Sequence, residues 1–155
     1  MATSLTPAGS VGARAVAPNL SLRDLMFCFE GFGDNCEFGF IQRRLGAEPL
    51  GLFRFAWLGL PEIVEALQTG FAALDTPENV EVYLHENDEY FVRFNTSSYY
   101  HTFIFSGQEE QEAVRRKQLI RISLLRRNLI ETLEQGTKII VRKGQGPATL
   151  QEPPA

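Results

Sequence analysis

The sequence predicts an α/β (or α+β) domain, small and three-layer-like, built on a mixed sheet. Three observations lead there. An apolar run at residues 25–29 enters a glycine-rich turn from which a helix departs. Residues 80–94 alternate in polarity around a charged turn, the pattern of a β-hairpin. A long periodic segment at 109–135 is followed at once by the apolar run 137–141, a helix feeding a buried strand. Strand–helix–strand units cross over right-handedly, so 25–29 and 138–141 are expected as neighbouring or near-neighbouring parallel strands. The 109–135 helix should pack on their sheet.

Taken in order, residues 1–21 are rich in Ala, Gly, Ser and Pro and read as a disordered arm. One domain is expected over 22–143, and residues 144–155 read as a flexible tail. After the strand at 25–29, Asp34 and Asn35 suit an N-cap and Glu37 a first helical turn. That helix places Phe38, Ile41, Gln42 and Leu45 on one side and stops at Gly46. The loop 46–57 is too apolar to lie in solvent: Leu50, Leu52, Phe53, Phe55 and Trp57 should be mostly buried. Pro61 opens a second helix with Ile63, Val64 and Leu67 as its apolar face. Strands follow at 80–84, 90–94 and 99–105. The long helix carries Leu119, Ile122, Leu125, Leu129 and Leu133 in one stripe, while Ile120 and Leu124 fall nearly opposite and suggest a protein partner there. Gly136 ends it.

Composition narrows the function classes. A chain of 155 residues, 44% hydrophobic and with twelve Phe, can bury a core without disulfides or metals. A net charge of −4 argues against nucleic acid as main partner, since phosphate binding needs a basic surface. No run of 18 apolar residues exists, so no membrane span is expected. The N-terminal segment lacks the continuous apolar core of a secretion signal, although the absence of acids before Asp24 is compatible with an organelle transit peptide. Two cysteines, Cys28 and Cys36, are too few for a disulfide framework and match no zinc spacing. Free thiols in a reducing, cytoplasmic setting are expected, with no cofactor and no metal.

The richest segment is Gly31-Phe32-Gly33-Asp34-Asn35-Cys36-Glu37-Phe38-Gly39. Here Cys36 stands at a helix start, where free backbone N–H groups can support a thiolate and later an oxyanion. A cysteine nucleophile needs a base. Of the two histidines, His85 lies in a charged turn and His101 among aromatic residues that could orient an imidazole. A buried, inert Cys36 is the plain alternative, and Cys28 reads as packing. The charged run Arg115-Arg116-Lys117, with Arg121, Arg126 and Arg127, reads as a solvated helix surface.

The motif from Phe29 to Gly39, with Gln42-Arg43-Arg44 and Gly46-Ala47-Glu48-Pro49-Leu50-Gly51-Leu52-Phe53-Arg54-Phe55-Ala56, resembles a group of uncharacterised bacterial proteins described as papain-like cysteine peptidases. The resemblance covers residues 27–57 well and the rest loosely. It implies Cys36 as nucleophile and His101 as its partner, although the family tends to show an acid after the histidine where this chain has Thr102. Asn35 would add a donor to the oxyanion, and Asp34, Glu37, Arg54 and Trp57 would line the substrate site. The implied activity is peptidase or acyl-transfer chemistry on a peptide or acyl substrate. Family chains continue past the strand at 137–141, so the resemblance also allows a shortened, inactive copy lacking the third catalytic partner. The competing reading is a non-catalytic binding module, of the kind linked to surface-polysaccharide or glycosyltransferase proteins.

Overall fold

A computed structural model describes residues 20–34, 36–74, 76–94 and 98–143. The expected arm, apart from Leu20 and Ser21, and the expected tail lie outside the described residues. The α/β class holds: helices accompany both parallel and antiparallel strands, with a hairpin and a long C-terminal helix. The parallel and antiparallel pairings nevertheless fall in two sheets, not one mixed sheet.

Four strands form the larger sheet, in the order β2 (Ala56–Trp57), β5 (Ser98–Phe105), β4 (Glu89–Phe94), β3 (Val80–Leu84), all antiparallel. One face of it is the core. Val80, Val82, Tyr90, Val92, Phe94 and Tyr100 alternate into that face, as period-2 patterning requires. The long helix α4 (Gln111–Gln135) covers it with Val114, Ile122, Leu125 and Leu129, and ends at Gly136 in the left-handed conformation that glycine adopts freely. Polar groups fix its seat. Gln118 meets the Tyr100 hydroxyl, Gln111 Nε2 donates to the Val82 carbonyl, and Arg126 donates to the carbonyls of Gly70 and Phe71. Part of the charged run is therefore a set of clamps and not merely a solvated surface; Arg115 likewise donates to the Pro77 carbonyl. Ile120 (74% exposed) and Leu124 stay uncovered on the other side. Helix α3 (Leu60–Gln68), opened by Pro61, sends only Ile63 fully into the core; Val64 and Leu67, expected on the same face, are exposed.

The smaller sheet joins β1 (Phe29–Gly31) to β6 (Ile139–Val141) in parallel, so the pairing expected from the strand–helix–strand logic is present. Its details differ from expectation in three ways. Residues 22–26 are a helix, α1 (Leu22–Met26), because Ser21 caps the Asp24 N–H and competes with extension; the strand begins only at Phe29. The long helix packs on the four-stranded sheet rather than on this pair. The final strand is not buried: Ile139 is 58% exposed and Ile140 is also exposed. Lys138 Nζ, 2.9 Å from the buried Glu30 carboxylate, ties the start of β6 to β1.

Candidate functional site

The turn that presents Cys36 is built by local conformation and one distant arginine. Gly33 (φ 63°) and Asp34 (φ 80°) are both left-handed, which folds the chain back after β1. Arg142, just past β6, then reaches across: Nη1 donates to the Phe32 carbonyl at 2.8 Å, Nη2 to the Leu58 carbonyl at 3.1 Å, and Nη2 lies 3.6 Å from the Asp34 carboxylate. Asp34, expected to contact substrate, is thus buried and spent on this brace. Asn35, the expected oxyanion donor, lies outside the described residues. Cys36, rather than Asp34 or Asn35, is the N-cap of α2 (Glu37–Arg44), at the helix end whose first-turn N–H groups lack helical acceptors, and its side chain makes no capping hydrogen bond to them. Glu37 is exposed and paired with Lys143.

Glycines bring this helix against β2. A Cβ at Gly33 would stand 3.4 Å from the Leu58 nitrogen and 3.6 Å from the Ala56 carbonyl oxygen. At Gly39 it would come within 2.5 Å of the Arg54 carbonyl oxygen and 2.7 Å of the Phe55 ring, closer than atoms pack. Cys36 is therefore bracketed by contacts to residues 54–58. The strand next to β2 is β5, in which Trp57 pairs with Tyr99, Ala56 with Tyr100, and the His101 N–H donates to the Phe55 carbonyl. Phe40, one turn after Cys36, packs on Phe55 and on Phe103, whose ring stacks on His101. The motif cysteine and His101 are brought to the same corner of the sheet.

The third member of the constellation is Glu89. Its carboxylate is buried (3% exposed residue) and lies 3.1 Å, through Oε2, from His101 Nδ1; Oε1 accepts from the Phe103 N–H at 2.7 Å. An ionised carboxylate only accepts, so in the neutral imidazole the proton belongs on Nδ1 and Nε2 keeps its lone pair. The sheet makes this pair by an irregularity. Glu89 is in register with Phe105 and Phe91 with His101, so β5 holds two more residues than β4 between the paired positions. The surplus bulges at Phe103, which adopts φ 58°, a conformation that bulky residues avoid and that collects at functional sites. Thr102, where the resembled family tends to have an acid, closes the bulge: its hydroxyl donates to the Tyr90 carbonyl and accepts from the Ile104 N–H. Sequence reading placed Glu89 in an exposed turn. The signal that could have found it was an acid heading the alternating row Glu89, Phe91, Arg93.

The remaining candidates divide. Trp57 is half-buried and stacks on Tyr99 beside the site. Arg54 is not available to substrate: it is buried, donating to the carbonyls of Gly39 (3.1 Å) and Ala47 (2.9 Å) and to the Glu48 carboxylate. It organises the apolar loop, in which Leu52 and Phe53 are buried, Phe55 and Trp57 half-buried, and Leu50 60% exposed. His85 is exposed, bonded to Asn87 and stacked on Phe91.

The thiol is not held ionised. Burial, and then the negative charge of Glu89, push Cys36 up to about 11 from an ordinary value near 9.0. A helix end contributes only ~0.3–1 kcal/mol toward the thiolate, which does not offset burial here. Among the described residues Cys36 Sγ makes no hydrogen bond to His101. The expected measurement is direct. Alkylation of Cys36 by iodoacetamide, mapped by peptide mass so that Cys28 is counted separately, should climb about tenfold per pH unit toward a plateau near 11. A plateau near the ordinary value of 9.0 would remove the burial effect.

Comparison with protein-family models, with curated proteins and with solved structures yields no match to this chain. Among the described residues no cluster of His, Cys, Asp and Glu could hold a metal ion, and no helix is long and apolar enough to cross a membrane.

Proposed function

We propose that this chain is a cysteine hydrolase or acyltransferase in which Cys36 is the nucleophile, His101 the base and Glu89 the residue that orients the base. The observation that carries the reading is the buried Glu89 carboxylate of β4 on His101 Nδ1 of β5, the strand beside β2, against which the Cys36 turn packs. Because the resting thiol is protonated, the proton leaves during attack, as with a serine nucleophile. Cys36 Sγ adds to the acyl carbon, its proton passes to His101 Nε2, and the carbonyl electron pair moves to oxygen near the first-turn N–H groups of α2. Collapse expels the leaving group, which takes the proton from His101. Water, or a second nucleophile, then cleaves the thioester by the same route and restores the thiol. The reaction requires Sγ and Nε2 to come within hydrogen-bond reach when substrate binds. The substrate is a peptide or other acyl compound, and the exposed Ile120 and Leu124 support a protein contact on α4.

The raised thiol and the missing Cys36–His101 bond favour a second reading, a binding module that keeps the motif for its turn. Labelling decides between them. A peptidyl acyloxymethyl ketone, which needs assisted attack, should modify Cys36 in the parent and nothing in Cys36→Ala. In His101→Ala, with an unchanged circular-dichroism spectrum, labelling should slow by about 10²-fold or more. Equal labelling of His101→Ala and parent would remove His101 as base and leave the binding reading.

A further inference from the structure

The face of the large sheet opposite the core should be polar in an ordinary one-sided sheet. Here it carries a row of rings across all four strands. Trp57 on β2 stacks on Tyr99 of β5 at 5.9 Å between centroids, Tyr99 meets Phe91 of β4 at 5.6 Å, and Phe91 meets Tyr83 of β3 at 6.0 Å. The strand pairing makes the row: Trp57 lies opposite Tyr99, and Tyr83 opposite Phe91. Phe91 is buried between its neighbours, with the His85 ring stacked on it at 4.5 Å and the His101 ring at 4.3 Å, and the other three rings are half-buried around it. Three strand spacings of ~4.8 Å make the row about 14 Å long.

We propose that this row is the acyl-group subsite of the Cys36 centre and that it takes an uncharged, ring-bearing acyl group. The inference rests on the function proposed above. Three observations support it. The row begins at the site: Trp57 belongs to the segment that brackets Cys36, and Tyr99 stands two residues before His101 on the same side of β5. The charged and titratable side chains of the face are engaged within it: Arg93 pairs with Glu81 at 3.2 Å, the buried Glu89 carboxylate meets His101 Nδ1 and the Phe103 N–H, and His85 is bonded to Asn87, so none is left unpartnered to hold an ionic group, and a neutral ligand is the complementary one. Its polar tips are free. The Trp57 indole N–H and the hydroxyls of Tyr83 and Tyr99 make no hydrogen bond among the described residues, leaving donors along the row of rings for the ligand's carbonyl oxygens.

Trp57 is the chain's one tryptophan, so its emission reads binding without any turnover. Full-length Cys36→Ala would be titrated with N-acetyl amides of phenylalanine, leucine, glutamate and lysine. The phenylalanine compound should change Trp57 emission saturably and bind about tenfold or more tightly than the other three. Tyr83→Ala should weaken it about three- to tenfold, with the far-ultraviolet spectrum unchanged. Equal binding of the four compounds, no saturable binding, or no effect of Tyr83→Ala in a folded variant would overturn the proposal. The two proposals fail separately. Ring-selective binding with no acyl transfer by the parent would leave the row and remove the chemistry. Turnover of all four acyl classes at equal rate would leave the chemistry and remove the row.

Discussion

Glu89→Gln should move two rates in opposite directions. Turnover of an acyl substrate should fall by about 10²–10⁴-fold, because a neutral amide no longer fixes which nitrogen of His101 carries the proton. The Glu89 contacts at stake are the 3.1 Å approach to Nδ1 and the 2.7 Å bond from the Phe103 N–H. Alkylation of Cys36 at fixed pH should speed up. Burial is the larger cause of the raised thiol and remains, but the negative charge that adds to it is gone. The folded thiol then ionises at lower pH, and below that value the alkylation rate follows the thiolate fraction. The two assays are a chromogenic thioester and iodoacetamide, on the same preparation. A role confined to packing would disturb both rates in the same sense or neither, so parallel movement would remove Glu89 from the proposed constellation.

Arg54→Met should destabilise the fold by about 2–6 kcal/mol, since two buried carbonyls lose their donors at ~1–3 kcal/mol each. Those carbonyls belong to Gly39 in α2 and Ala47 in the loop, and Arg54 links them while its own side chain is only 6% exposed. A loss of that size is a large share of the 5–15 kcal/mol typical of a domain, and it should appear as a lower urea midpoint. The variant also tests the expectation that Arg54 binds substrate. An unchanged midpoint with weakened substrate binding would restore that role; a lowered midpoint places the arginine in the scaffold of the Cys36 turn.

Much of the fold was legible along the chain because it depends on near neighbours. Pro61 at a helix start, Gly136 at a helix end and the alternation of residues 80–84 and 90–94 each state a local geometry, and each element formed, the second strand one residue earlier than expected. The parallel pairing of β1 with β6 is expected from the strand–helix–strand order and the crossover preference, and it is present, although the long helix does not pack on it. Cys36 could likewise be placed at the head of a helix, since a glycine turn and a periodic segment flank it in sequence. Local reading failed where a local signal was read too simply: the apolar run 25–29 predicts a strand, but Ser21 caps a helix that takes in Leu25 and Met26, and the strand begins only at Phe29.

What a side chain faces across the structure was decided by register and packing. Glu89 reaches His101 because β5 bulges by two residues at Phe103, and no periodicity in either strand states that offset. Arg54 is buried because the loop that contains it folds around its guanidinium, satisfying carbonyls that are scattered along the sequence. Arg142 braces a turn more than a hundred residues away. Sequence by itself determined the elements and the position of the nucleophile candidate, because i to i+4 patterns carry them. Tertiary structure decided the company that cysteine keeps, because hydrogen bonds and burial between distant segments exist only once the strands have chosen their register.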